Sequence, residues 1–86
     1  MTALALSFPA LREATGIEPF DGGKLDAWAV GYANSGGRHA AQFVLALWDQ
    51  SRDWRAGKFS VIEAFQVWDD DHRESFIRWA REPFWL

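Results

Sequence analysis

Apolar residues between Arg38 and Asp49 recur at the spacing of an α-helix. One broad arc of the helical wheel is apolar and holds Ala40, Phe43, Val44, Leu47 and Trp48, whereas the opposite side carries Arg38, Gln42 and Asp49. An arc this wide is typical of a helix that neighbours cover on two sides. The Asn34-Ser-Gly-Gly37 segment before it breaks the chain and can cap the helix. The pattern therefore predicts a central helix over 38–49.

A second helix is predicted to begin after Ser60. The Ser60-Val-Ile-Glu63 segment has the spacing of a capping box. In this motif the serine hydroxyl accepts a hydrogen bond from the Glu63 amide, and the Glu63 carboxylate reaches back to the Ser60 amide. We expect the buried stripe of this helix to contain Val61, Phe65 and Trp68.

Three consecutive aspartates, 69–71, separate this helix from a last one. Asp71 and Glu74 offer a further capping box, so we predict a break or sharp bend there rather than one long helix. The last helix is expected from about residue 72 to 81 and to end before Pro83, because proline lacks an amide donor and clashes with the preceding turn. One face of it carries His72, Phe76, Trp79 and Ala80.

The first third of the chain is less regular. Ser7 is a plausible N-cap for a short helix that has Pro9 in its first turn and Gly16 at the left-handed position after its end. Residues 17–23, rich in glycine with one proline, predict a loop. The stretch 25–33 has Leu25, Trp28 and Tyr32 on one helical face, which favours a helix, and a strand remains the alternative.

These elements predict an all-α fold: a compact single domain over 1–86, built from four to five short helices, with an apolar C-terminal tail at 82–86. The central helix packs against the pair in 60–81. A small α+β domain is the alternative, with 25–32 as a strand. The length of 86 residues suits one domain with its own hydrophobic core.

Composition narrows the class of protein. The chain has no cysteine, which excludes disulfides and thiolate metal sites and favours a reducing, cytoplasmic setting. Its first residues are apolar but too few to cross a bilayer and have no basic residues before them, so we expect neither a signal peptide nor a membrane segment. Twelve acidic and nine basic residues give a net charge of −3, which disfavours a nucleic-acid partner.

Aromatic content carries the functional prediction. Five of the six tryptophans follow residue 47, and each large ring buries about 150–250 Å². We expect a domain this small to have more rings than its interior can hold. Interfaces are enriched in tryptophan, phenylalanine and arginine. We therefore expect a noncatalytic protein-interaction module that presents aromatic anchors and an acidic turn to another protein or to a second copy of itself. The predicted interaction residues are Trp54, Arg55, Asp69, Asp70, Asp71, Arg81, Phe84 and Trp85.

Small acidic chains without cysteine are typical of accessory or inhibitory proteins of bacteria, plasmids or phages; this association concerns the class, not particular residues. No Gly-x-Ser-x-Gly elbow is present, and we expect no catalytic residue and no cofactor. The aspartate run lacks the spaced ligands and the glycine of a calcium loop, so we expect helix capping there rather than a metal site. His72 is expected to be a packed ring with one satisfied nitrogen.

Two other functions remain open. The helix pair over 60–81 carries three arginines, which is the basis for a DNA-binding regulator, although the aspartates between the helices would repel phosphate. A small anion- or metal-binding protein is the other alternative. Free amides at a helix start, together with an arginine, could hold an anion, and the residues in question are Gly36, Gly37, Arg38 and His39.

Overall fold

Five α-helices and one short 3₁₀ helix form residues 1–83, the part of the chain that this computed structural model describes. The helices are α1 (Thr2–Leu6), α2 (Gly22–Gly31), α3 (Ser35–Trp48), α4 (Val61–Val67) and α5 (Asp70–Arg81), and the 3₁₀ helix is Pro9–Glu13. Residues 1–83 contain no strand, so the all-α prediction is confirmed and the α+β alternative is wrong. None of the helices in this range is long and apolar enough to span a membrane.

Helix α3 is central, as predicted, and its arc of buried residues is wide. It forms a hairpin with α2, and Asn34 at the turn caps it by accepting a hydrogen bond from the Gly37 amide at 2.8 Å. Its buried side is lined by Ala40, Ala41, Gln42, Phe43, Val44 and Leu45.

Two expectations for α3 are wrong. Gln42, placed on its polar side, is buried, because its amide reaches a loop carbonyl that the helical pattern cannot reveal. Trp48, placed on the apolar arc, is 53% exposed, because it is the last residue of the helix and lies at the rim of the core.

Aromatic rings join α4 and α5 to the core. The Phe43 ring of α3 lies 5.1 Å from Phe76 and 5.0 Å from Trp79 of α5, so the predicted packing of the 60–81 pair on α3 is confirmed. Trp68, at the end of α4, is buried against Phe8 at 5.5 Å. Val61 was expected in this stripe, but it is the first residue of α4 and is exposed, and Ala64 is buried instead.

The break between α4 and α5 is confirmed, but its cap is not the one predicted. Ser60 caps α4 by accepting from the Glu63 amide at 3.3 Å. Asp69, not Asp71, caps α5, and it accepts from the His72 amide at 2.9 Å. Trp68 has an extended backbone, so the chain turns two residues earlier than the capping pattern indicated and α5 begins at Asp70.

The N-terminal segment differs most from its prediction. Helix α1 was not predicted, and the N-cap of the 3₁₀ helix is Phe8 rather than Ser7. The Ser7 hydroxyl instead donates back to the Leu4 carbonyl at 2.6 Å. Gly16 has the expected positive φ of 81°, but it lies in the turn that follows the helix rather than at the helix end.

Candidate functional site

The predicted interaction residues fall in separate places rather than on one surface. Trp54 and Arg55 lie in the loop between α3 and α4, the aspartates 69–71 lie at the start of α5, and Arg81 is the last residue of α5. A helix of 12 residues is about 18 Å long, so the aspartates and Arg81 are far apart. Of the 82–86 tail, Glu82 and Pro83 are exposed, and Phe84 and Trp85 lie outside the described residues.

Trp54 is half-buried and has a structural role. Its indole N–H donates to the carbonyls of Leu45 and Asp49, each at 3.1 Å, where α3 ends. The Leu45 carbonyl also accepts from the Asp49 amide at 2.9 Å, so the indole adds a second bond there and ties the loop to the end of α3. The guanidinium of Arg52 lies 4.4 Å from the centre of the ring, within the range of a cation–π contact.

A more exposed tryptophan adjoins it. Trp48 packs against Phe20 with ring centres 5.1 Å apart. A β-carbon added at Gly22 would lie 3.0 Å from the Trp54 ring and 3.1 Å from the Trp48 ring, so both indoles rest on this glycine. We call the surface formed by Phe20, Trp48, Trp54 and Arg52 the tryptophan patch. Sequence reasoning missed Trp48 as a surface residue, although its place at a helix end was a usable signal.

A buried hydrogen-bond network holds the loop that carries Trp54. The carboxylate of Asp26, 6% exposed, accepts from the amides of Arg55 at 3.1 Å and Ala56 at 2.8 Å. The Ala56 carbonyl accepts from Arg38 Nε at 3.1 Å and from Gln42 Nε2 at 2.7 Å. Since Ala56 is fully buried, these bonds satisfy main-chain groups that water cannot reach.

The residues predicted for anion binding have partners within the chain. Arg38 is directed to the Ala56 carbonyl, and the Gly37 amide is bonded to Asn34. His39 Nδ1 lies 3.0 Å from the Gln42 side-chain oxygen. Gly36 accepts at its carbonyl from the Trp68 indole at 3.0 Å. Gly37 thus takes part in the cap of α3, Arg38 holds the loop, and Gly36 and His39 bond to Trp68 and Gln42.

A groove of about 360 Å³ brings together several chemically interesting residues. We call it the His72 groove; its lining residues are Ala10, Asn34, Ser35, Gly36, Val67, Trp68, Asp69 and His72. His72 Nδ1 lies 2.7 Å from Asp69 Oδ1, and His72 Nε2 accepts from the Ala10 amide at 3.1 Å. A carboxylate only accepts and an amide N–H only donates, so the neutral imidazole with its proton on Nδ1 satisfies both bonds.

Serine, histidine and aspartate in one groove are the residue types of a hydrolase triad, but the geometry disfavours that chemistry. A general base needs a free nitrogen within reach of the nucleophile. Here Nε2 is occupied by the Ala10 amide, and the ring is only 7% exposed between Trp68 and Phe8. Both nitrogens of His72 are bonded, where the sequence predicted one, and the ring holds two parts of the chain together.

The acidic turn is exposed, and the side chain of its first residue, Asp69, accepts hydrogen bonds from His72. Hydrogen bonds from the backbone amide and then the imidazole of His72 lower the pKa of Asp69 below its usual value. Asp70 faces Arg73 at 3.9 Å, a distance at which an exposed ion pair contributes little. The Asp49 pKa is also lowered, chiefly by the Ser51 hydroxyl and amide.

Within residues 1–83 no three histidine, cysteine or acidic side chains lie close enough to hold a metal ion. Comparison of the chain with protein-family models, curated proteins and solved structures finds no match. The functional interpretation therefore depends on the geometry of the described residues.

Proposed function

We propose that this chain is a noncatalytic protein-binding module whose main anchor is Trp48 in the tryptophan patch. The observation that carries the proposal is the exposure of this indole beside a second tryptophan and an arginine. Tryptophan and arginine are the residues most often found to dominate binding energy at protein interfaces. A cytoplasmic location and a role as an accessory or inhibitory protein are part of the same proposal.

The patch is well suited to be a preformed anchor. The Trp48 ring is fixed by Phe20 on one side and by Gly22 beneath it. The neighbouring Trp54 is held by two hydrogen bonds to α3. A ring that is already ordered loses little side-chain entropy on binding, so more of its contact energy contributes to affinity.

The proposed partner is another protein or a second copy of this chain. A stable interface buries about 800 Å² on each partner, whereas one tryptophan offers at most about 250 Å². The interface therefore has to extend over the surface around the tryptophan patch, whichever partner binds.

The DNA-binding alternative gains no supporting observation. In a helix pair of the kind expected over 60–81, the start of the second helix would meet the DNA. The start of α5 carries Asp69, Asp70 and Asp71, all exposed, which would repel phosphate.

The test is capture of a partner from the cells that make the protein, with three matched baits. Trp48→Glu removes the anchor, and Ile62→Glu places the same charge at an exposed apolar position of α4 as the control. We expect a partner that the unmodified chain and Ile62→Glu retain and Trp48→Glu loses. Retention by all three baits, or by none, would contradict the proposal. Light scattering of the unmodified chain distinguishes self-association from binding of a different protein.

A further inference from the structure

His72 connects α5 to a segment more than sixty residues earlier in the chain. Its Nε2 accepts from the amide of Ala10, which lies in the first turn of the 3₁₀ helix. The first amides of a helix have no partner within it, and Phe8 at the N-cap has no side-chain group that could serve. His72 therefore supplies the missing cap from a distant helix.

We propose that His72 is a pH-sensitive latch, closed when its imidazole is neutral and opened when the imidazole is protonated. A protonated ring carries N–H groups at both nitrogens. Its Nε2 would then present a donor to the Ala10 donor, and the hydrogen bond would be lost. Opening would release the 3₁₀ helix from the start of α5 and widen the His72 groove.

The groups around the ring determine whether protonation opens the latch. Of the residues that line the His72 groove, those from the 3₁₀ helix, the start of α3 and the end of α4 carry no titratable side chain. Arg12 and Glu13 of the 3₁₀ helix are exposed and do not line the groove. From α3, Arg38 and His39 are bonded elsewhere, to the Ala56 carbonyl and to Gln42.

On α5 the facing charge is Asp69, which attracts an imidazolium. That carboxylate is 68% exposed, so water screens the attraction. It bonds to Nδ1, which carries a proton in both the neutral and the protonated ring, so protonation does not change this bond. The neighbouring Arg73 is bonded to the Phe65 carbonyl and lies near Asp70. Phe8 and Trp68 have ring centres 6.1 and 6.2 Å from the imidazole, at the outer limit of a cation–π contact. No facing group replaces the bond that Ala10 loses.

One further bond limits how far the opening extends. The Ser75 hydroxyl, one turn along α5, donates to the Ser7 carbonyl at 2.6 Å and does not titrate in this range. We therefore expect a local opening of residues around Ala10 rather than detachment of α5.

Amide hydrogen exchange followed by nuclear magnetic resonance tests the latch in the intact chain. Histidine side chains change charge between about pH 5 and 8, so exchange is compared near both limits. In the unmodified chain we expect the protection factor of the Ala10 amide to fall about tenfold or more as His72 titrates, while that of Leu45 in α3 stays constant. Constant protection of Ala10 while His72 titrates would overturn the proposal. A His72 ring that stays neutral over the whole pH range would also overturn it, and so would an Ala10 amide that is unprotected at both ends of that range.

Two variants separate the latch from a general effect of acid. His72→Gln places a side-chain oxygen near the Nε2 position that can accept from Ala10 but does not titrate, so Ala10 should stay protected at every pH. His39→Gln removes the other histidine and should behave like the unmodified chain. If Ala10 protection no longer fell at low pH in His39→Gln, the assignment of the latch to His72 would be overturned. If His72→Gln does not fold, the pH dependence of Ala10 protection in the unmodified chain still tests the proposal.

Discussion

The Asp26 carboxylate accepts a hydrogen bond from the amide of Ala56 at 2.8 Å, across thirty residues of sequence. With the bonds from Arg38 and Gln42 to the Ala56 carbonyl, this contact fixes both sides of one residue in the α3–α4 loop. The loop carries Trp54, and Trp54 lies beside Trp48 over Gly22. The position of the tryptophan patch therefore depends on a buried polar network and not only on apolar packing.

Removal of the Asp26 carboxylate should be costly. Asp26→Ala leaves the Ala56 amide without its acceptor in a buried setting and the Arg55 amide in a part-buried one, and a buried orphaned donor costs about 1–3 kcal/mol. We expect a loss of about 2–4 kcal/mol in the free energy of unfolding, measured by urea denaturation. Asp53→Ala, at an exposed position of the same loop, is the control. An equal, small effect of both substitutions would show that the network does not hold the loop.

Gly22 should tolerate no side chain without moving the patch. The added β-carbon of Gly22→Ala would come within 3.0–3.2 Å of both indoles, so the rings must shift. We expect a change in tryptophan fluorescence and a lower melting temperature. Gly31→Ala is the matched control, because a β-carbon there meets nothing within 4 Å, and it should leave both indoles in place. A Gly22→Ala chain with an unchanged spectrum would place the indoles elsewhere.

Two tryptophans should differ sharply in their effect on stability. Trp68 is buried among Phe8, Phe59 and Phe65, so Trp68→Ala should cost about 3–5 kcal/mol. Trp48 is half-exposed, so Trp48→Ala should cost about 1 kcal/mol. Chemical denaturation of both variants measures the difference. Similar losses would mean that Trp48 is a core residue and is not available to a partner.

Asp69 predicts a specific response to acid. Its folded pKa lies below the usual value of an aspartate, because the amide and imidazole of His72 bond to the charged carboxylate. A carboxylate with a lowered folded pKa adds stability above its unfolded pKa and loses it as the pH falls through the folded pKa. Asp69→Asn keeps a capping oxygen but cannot ionise. The stability advantage of the unmodified chain over Asp69→Asn should therefore be present near about pH 6 and vanish near about pH 2. An advantage that is equal at both pH values would rule out this linkage.

Elements whose signals lie within a few neighbouring residues were predicted correctly. The apolar arc predicted α3, the Ser60 capping box predicted the start of α4, and the aspartate run predicted the break before α5. Helix α1 was missed because it is one short turn with no side-chain cap, held by burial of Leu4 and Ala5 against the rest of the fold.

The candidate site was less predictable because its contacts are distant in sequence. The burial of Gln42 depends on a loop carbonyl fourteen residues away, and the second bond of His72 reaches Ala10 across sixty-two residues. Neither partner is a side chain that a motif could reveal. Trp48 was assigned to the core because the helical wheel records the direction of a side chain but not that the helix ends there.

Photo-cross-linking tests the role of Trp48 most directly. A benzoylphenylalanine placed at position 52 of the patch in the cell leaves Trp48 in place and forms a covalent bond with whatever contacts the patch, and the same group at position 62 reports on the exposed face of α4. We predict one discrete adduct from position 52, lost in Trp48→Glu, and none of that mass from position 62. Adducts from position 62 alone, or from neither position, would contradict the account.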